Sequence, residues 1–165
     1  MITAIFANVT IQWSTFIDGG NKNVFGGALF CDCHNLVVTD TKFENNEAAA
    51  GGAIYLIGRS GGVVNFSKNF FGNNKAQHGG AINIITADRM FITGNGFTGN
   101  RAYVISPPTV ASVKLPSSKA QGGAIYFLCQ RPYDGKCLVN LQNNNFNANS
   151  AENEGGALIF LNEPF

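Results

Sequence analysis

Three features of the sequence predict an all-β fold of the parallel β-helix (solenoid) class. A phenylalanine-centred motif, F-x-x-N, recurs along the chain, and Gly-Gly pairs recur in step with it. Apolar and polar residues alternate before each phenylalanine, which is the period of a short β-strand. No helical periodicity with matching end signals accompanies them. We therefore expect about five coils of three short strands, each burying the apolar face of the next.

The phenylalanines define the length of the repeat, because they are separated by 27, 28, 26 and 49 residues. Parallel strands stack at about 4.8 Å, so equivalent side chains of successive coils lie above one another. A column of aromatic rings is therefore expected to run through the core. This predicted core ladder consists of Phe16, Phe43, Phe71, Phe97 and Phe146.

The asparagine of each motif predicts a second ladder, at a turn. Stacked asparagine side chains can bond to the chains above and below, as they do in cross-β assemblies. The Gly-Gly pair that follows is expected to supply a backbone conformation that a Cβ atom would forbid. The predicted asparagine turn ladder consists of Asn46, Asn74, Asn100 and Asn149.

The one long step between phenylalanines indicates an insertion. Residues Tyr103 to Lys119 contain three prolines and several serines, a composition typical of a loop. The sequence thus predicts a single β-helix domain over residues 1–165 with a loop insertion at about 103–119.

Composition excludes two classes of partner. The net charge is +1 and charged residues make up 13% of the chain, so the basic patch that nucleic-acid binding needs is missing. No apolar run reaches the length of a membrane span. We expect neither nucleic-acid binding nor membrane insertion.

The repeat resembles a known family in its details. The segment Phe43–Tyr55, FENNEAAAGGAIY, is similar to the repeats of the chlamydial polymorphic membrane proteins, in which F-x-x-N precedes G-G-A-[I/L/V]. Those proteins are surface-exposed autotransporter adhesins whose passenger regions are right-handed parallel β-helices. The resemblance covers nearly the whole chain outside the insertion. It implies a right-handed coil and an extracellular or cell-surface location, whereas fold alone does not determine function.

One row of residues is a candidate contact surface. The alternation after each Gly-Gly pair predicts that the row faces outward, and it is uncharged and mostly aromatic. The alternative is the opposite phase, in which these residues belong to the core. Aromatic stripes bind sugars or partner proteins, whereas acid–base catalysis needs titratable groups. We expect no catalytic site and no cofactor, with a carbohydrate-binding or polysaccharide-cleaving β-helix as the alternative. The contact stripe comprises Phe30, Tyr55, Asn83, Tyr126 and Ile159.

The four cysteines leave two alternatives open. Cys129 and Cys137 flank a short loop and could be joined by a disulfide, which would indicate an oxidising compartment. Four buried free thiols are the alternative. Cys31, Cys33 and His34 offer three metal ligands where structural zinc needs four, so no metal site is predicted.

Two N-glycosylation sequons begin at Asn8 and Asn65. Each asparagine precedes an inward-facing position in the predicted alternation, so each should point outward. A glycan is sterically possible at both.

The ends of the repeat array complete the functional hypothesis. Neither end carries the polar cap that solenoids need, and unpaired strand edges invite further stacking. We expect a non-catalytic structural or adhesive module that self-associates through these ends into a filament, or forms part of a longer surface fibre. Surface glycans are a second possible partner. The remaining alternative is a passive spacer from a larger adhesin.

Overall fold

The computed structural model describes residues 1–105, 119–129 and 137–162. Within these ranges all regular secondary structure is β-strand, and the paired strands run parallel. Pairing joins equivalent positions of successive repeats, so that Phe43 pairs with Phe16 on one side and Phe71 on the other. The predicted all-β class and parallel pairing are confirmed and are compatible with a β-solenoid. Most of the predicted insertion, residues 106–118, lies outside the described residues.

The largest sheet has nine strands. Numbered in chain order, they are β1 (Ile2–Gln12), β3 (Leu29–Thr39), β5 (Ile54–Gly58), β6 (Val63–Ser67), β9 (Ile82–Ile85), β10 (Arg89–Thr93), β13 (Ile125–Cys129), β14 (Leu138–Gln142) and β17 (Leu158–Asn162). They form two rows, which are fused in the first two repeats. The long strand β3 pairs with β5 through its first half and with β6 through its second half.

Two smaller sheets complete each repeat. The phenylalanine row contains β2 (Thr15–Ile17), β4 (Lys42–Glu44), β7 (Phe70–Gly72), β11 (Gly96–Thr98) and β15 (Asn145–Asn147). The last row contains β8 (Lys75–Ala76), β12 (Arg101–Ala102) and β16 (Ser150–Ala151). The prediction of three strands per coil is therefore one short where this last row is present, because two residues are too few to display a period.

The chain changes direction at three left-handed corners in each repeat. The first corner lies at Trp13, Asp40, Lys68, Gly94 and Asn143, the second at Asp18, Asn45, Asn73, Gly99 and Ala148, and the third at Gly26, Gly51, Gly79, Gly122 and Gly155. A Cβ atom disfavours positive φ. Glycine occupies the third corner in all five repeats because an added Cβ there, at Gly51 for example, would also strike the carbonyl oxygen of Ile54.

The phenylalanine ladder forms the centre of the core. Its five rings stack with centroids 4.8 to 5.1 Å apart and planes within 7° of parallel. Phe43, Phe71 and Phe97 are fully buried, whereas Phe16 and Phe146 at the ends of the column are partly buried. Each stacked pair contributes about 0.5–1.5 kcal/mol beyond the burial of its area.

The amide-to-amide hydrogen bonds of the asparagine turn ladder all run in one direction along the repeats. The Nδ2 of Asn74 donates to the Phe43 carbonyl at 3.1 Å and to Asn100 Oδ1 at 2.9 Å. Its Oδ1 accepts the backbone N–H and the side-chain amide of Asn46 at 3.0 and 2.9 Å. The same pattern continues from Asn100 to Asn149. Each side chain therefore satisfies polar groups of the preceding repeat and donates to the next.

A second amide ladder lies two residues before the phenylalanines. Asn69 donates to Asn95 Oδ1 at 3.0 Å, and Asn95 donates to Asn144 Oδ1 at 3.0 Å. The backbone N–H of Thr41 donates to Asn69 Oδ1 at 3.0 Å. This ladder was not predicted, although the recurrence of Asn, Thr and Ser at its position is visible in the repeat. Both ladders thus hold the repeats in register.

We predict that Asn74→Ala destabilises the fold by on the order of 3 kcal/mol, because it leaves buried donors and acceptors of Asn46 and Phe43 unpaired. Chemical denaturation of the purified chain measures this loss. The matched control is Asn147→Ala on the exposed face of β15, for which a change within about 0.5 kcal/mol is expected. Equal losses of unfolding free energy for both variants would show that the ladder hydrogen bonds stabilise the fold no more than an exposed side chain does.

Candidate functional site

The structure brings the predicted contact stripe together as one row. Phe30, Tyr55, Asn83, Tyr126 and Ile159 pair with one another in succession across β3, β5, β9, β13 and β17. Phe30 and Tyr55 are half-buried and their rings stack at 5.7 Å. Asn83 is only 2% exposed and Tyr126 only 9%. The expectation of a continuous exposed stripe is therefore wrong at these two positions.

Side chains from the neighbouring turn cover the stripe. The ring of Phe25 lies 4.9 Å from that of Tyr55, and the ring of His78 lies 5.1 Å from that of Tyr126. Burial lowers the pKa of His78 and raises that of Tyr55. Within the described part of the chain, His78 Nδ1 and Asn83 Oδ1 are buried without a hydrogen-bond partner. The alternation correctly indicates which residues point away from the core. It does not indicate that side chains of the neighbouring turn cover them.

A tyrosine–glutamate pair lies on the side of the third sheet. The hydroxyl of Tyr103 donates a short hydrogen bond to the carboxylate of Glu47. Desolvation, followed by this hydrogen bond and the negative charge of Glu47, raises the pKa of Tyr103 to about 12. The phenol is therefore held in its neutral form, so it is a hydrogen-bond donor here and not a base.

The acidic residues next to this pair are engaged in ion pairs. Glu152 accepts bonds from the Val104 N–H at 2.9 Å and from Arg101 at 2.8 Å, which together lower its pKa. Glu154 pairs with Lys119, and its pKa is lowered as well, first by the hydrogen bond from that ammonium group. Among residues 1–105, 119–129 and 137–162, no group of three or more His, Cys, Asp or Glu side chains could hold a metal ion.

All four cysteines are placed in disulfides. Cys129 at the end of β13 is joined to Cys137 just before β14, with Cα atoms 6.1 Å apart. Cys31 and Cys33 lie two residues apart on the inner side of β3 and are joined to each other. Of the alternatives that the sequence leaves open, the arrangement with four free thiols is not found. The neighbouring His34 is exposed on the same strand.

The two sequons lie on the large sheet. Asn8 is exposed in β1, and its Oδ1 accepts a hydrogen bond from Asn35 Nδ2 at 2.9 Å. Asn65 in β6 is half-buried and lies between Val37 and Phe91 of the adjacent strands. The side chain of Asn8 is thus the more accessible of the two, and glycosylation at either site stays a prediction.

One exposed residue with an unusual backbone was missed by sequence reasoning. Trp13 is 80% exposed and occupies a left-handed corner with φ of 46°. The available signal was its place in the repeat, three residues before Phe16. That position is aromatic in the first copy alone, and the other copies hold Asp40, Lys68, Gly94 and Asn143 there.

Comparison with known proteins finds two partial similarities. A family profile of the Chlamydia polymorphic membrane protein repeat matches residues 40–56, from the corner at Asp40 to the strand after the third-corner glycine. The metabotropic glutamate receptor-like protein R of Dictyostelium discoideum is 35% identical over 98 residues, which are 58% of this chain and 6% of that protein. The chain thus spans a small fraction of that relative. No solved structure matches this chain.

Within residues 1–105, 119–129 and 137–162, no segment forms a helix that is long and apolar enough to cross a bilayer.

We predict that the disulfide between Cys129 and Cys137 stabilises the fold measurably. Closing a loop with a sequence separation of 8 residues removes about 2.5 kcal/mol of chain entropy from the unfolded state. Denaturation with and without reductant measures the effect. The double variant Cys129→Ser and Cys137→Ser should lose most of the response to reductant, because the remaining disulfide closes a far shorter loop. An undiminished response would contradict the assignment.

We further predict that the stability contributed by Tyr103 falls between pH of about 10 and about 12. In this window the unfolded chain releases the phenolic proton while the folded chain retains it, so folding becomes less favourable as pH rises. Denaturation midpoints of the wild type and Tyr103→Phe, measured across the window, test this prediction. A constant difference between the two proteins would contradict it.

Proposed function

We propose that the chain is a non-catalytic structural and adhesive module of a surface-associated protein, folded as a right-handed parallel β-helix of about five coils. The observation that carries this proposal is the continuity of the two asparagine ladders and the phenylalanine stack through successive repeats. A solenoid held in this way presents a fixed outer surface. Such surfaces suit support and contact.

The distribution of charge supports a non-catalytic role. The outward row after each Gly-Gly pair contains no titratable group other than Tyr55 and Tyr126, whose surroundings are aromatic. The carboxylates of Glu152 and Glu154 are engaged by basic partners on the surface. Acid–base chemistry needs a carboxylate or imidazole with room for a substrate, and these groups do not converge on one.

Three observations support an extracellular location. The matched family repeat comes from polymorphic membrane proteins, and the matched relative is named as receptor-like. Disulfides persist in oxidising compartments, and Cys129 is joined to Cys137. The exposed Asn8 would carry a glycan in a secretory pathway that reads N-x-[S/T]. We include glycosylation in the proposal on this ground.

The direction of the ladders bears on how such modules are joined. In each amide-to-amide step the acceptor oxygen belongs to the later repeat, so a coil that continues the ladders beyond Asn144 and Asn149 would have to supply amide oxygens. The first repeat has Ser14 and Gly19 at the equivalent positions and offers no amide oxygen. We therefore favour continuation by Asn-bearing repeats within a longer surface fibre over head-to-tail filaments of this chain.

We predict that the purified chain remains as compact single particles. Five stacked strands at 4.8 Å span only about 20 Å, so a filament would be recognised at once in negative-stain electron microscopy and in sedimentation. The physical reason is that neither Ser14 nor Gly19 of a second copy offers the amide oxygen that accepts the asparagine donors in the other repeats. Long fibres would contradict this preference and support self-association through the ends.

The adhesive role is tested with beads coated with the folded chain and applied to cultured cells. Retention of these beads, but not of beads coated with chemically unfolded chain, is the expected result. Equal retention of both would leave only the passive spacer role for the module.

A further inference from the structure

A groove of about 520 Å³ lies on the side of the first three repeats. Its lining includes the first-corner row of Trp13, Asp40 and Lys68 and, from the phenylalanine strands, Thr15, Lys42 and Phe70. It runs across three rungs, a length of about 10 Å at the spacing of parallel strands. The length of the groove thus suits a short ligand made of linked, sugar-sized rings.

The backbone at Trp13 indicates that its side chain serves a purpose other than folding. The left-handed region is natural for Gly, Asn and Asp but unfavourable for a bulky residue. Trp13 adopts it with φ of 46° and leaves 80% of its surface exposed. Its position outside the core gains little burial energy, and strained residues cluster at functional sites. A flat aromatic face is therefore presented on the outside of the fold at a conformational cost.

The groove lies on the lateral surface and not at an end. Asp40 and Lys68 occupy the same corner as Trp13 and remain accessible although each has a repeat on either side. A further coil stacked below the first repeat would therefore leave this row uncovered. The exposure of Trp13 is a property of the corner.

Polar groups of both signs flank the aromatic surface. Among the described residues, Asp40 and Lys68 make no ion pair, so a carboxylate acceptor and an ammonium donor are available in the groove. Lys42 is paired with Glu44 at 2.7 Å, and its ammonium lies 6.0 Å from the ring of Phe70. The groove therefore combines aromatic surface with balanced charge at its rim.

The corner that holds these groups is rigid. Thr41 Oγ1 donates to the Thr39 carbonyl at 2.8 Å, and the Thr41 N–H donates to Asn69 Oδ1 at 3.0 Å. The Ser14 N–H donates to Thr41 Oγ1 at 3.4 Å. A ligand would therefore not have to order the backbone of this corner, which reduces the entropic cost of binding.

We propose that the groove binds a short neutral oligosaccharide lying along the axis of the repeats. The C–H face of one pyranose ring stacks on Trp13. Hydroxyl groups donate to Asp40 and accept from Lys68, and the opposite charges of this pair favour a neutral sugar over an acidic one. This inference goes beyond the structural role proposed above and does not depend on it.

The chain contains a single tryptophan, so tryptophan emission, excited selectively over that of the tyrosines, reports on this groove. Titration of the full chain with neutral tetrasaccharides of glucose, mannose and N-acetylglucosamine should shift or quench the emission for at least one of them. Asp40→Asn and Lys68→Asn should each weaken that binding about tenfold. Asn tolerates the left-handed corner at both positions, and the substitutions remove the carboxylate charge of Asp40 and the ammonium donor of Lys68. All variants are produced in bacteria, so that no N-linked glycan is added at a new asparagine.

Trp13→Asn should abolish binding in a calorimetric titration while leaving the unfolding free energy unchanged or higher, since Asn tolerates positive φ. The matched control is Phe91→Ala, a 39% exposed aromatic residue outside the groove, which should bind as the wild type does. The absence of an emission change with every neutral sugar would overturn the proposal. Binding retained by Trp13→Asn, or tighter binding of an oligogalacturonate than of the neutral sugars, would also overturn it. So would an emission change that follows the protein concentration and not the sugar concentration.

Discussion

The amide-to-amide hydrogen bond between successive repeats is the interaction on which this structure depends. Buried amide groups without partners are costly, and Asn74 and Asn100 are fully buried. Their side chains are satisfied because another asparagine lies one repeat away at each step. The two ladders therefore specify register as well as stability. A slip of one residue would leave several buried donors without acceptors, and it would also turn the alternating apolar side chains out of the core.

The core could be predicted from the sequence because the residues that form it recur in every repeat. The spacing of Phe43, Phe71 and Phe97 and the alternation before them determine which residues stack. The third-corner glycine was likewise predictable, because a position that excludes Cβ leaves only one residue type. By contrast, the fused rows of β1 and β3 were not predictable, since a continuous strand and two short ones share the same alternation.

The surface was less predictable for a physical reason. Period-two alternation reports which side of a strand a residue faces, but it says nothing about what lies over that side. Tyr126 faces outward as expected and is still covered, because His78 folds onto it from the adjacent turn. Trp13 is the opposite case. It lies at a corner, where no alternation applies, and its exposure follows from the left-handed backbone that the corner imposes.

The single direction of the amide-to-amide hydrogen bonds also suits an order of assembly from the N-terminus. When a ribosome or a secretion pore delivers the chain from its N-terminus, each completed coil already displays donors. The coil that emerges next brings the matching amide oxygens, as Asn74 does for Asn46 and Asn100 for Asn74. Each finished turn is thus a template for its successor. A chain delivered slowly can fold vectorially, without waiting for its last residue.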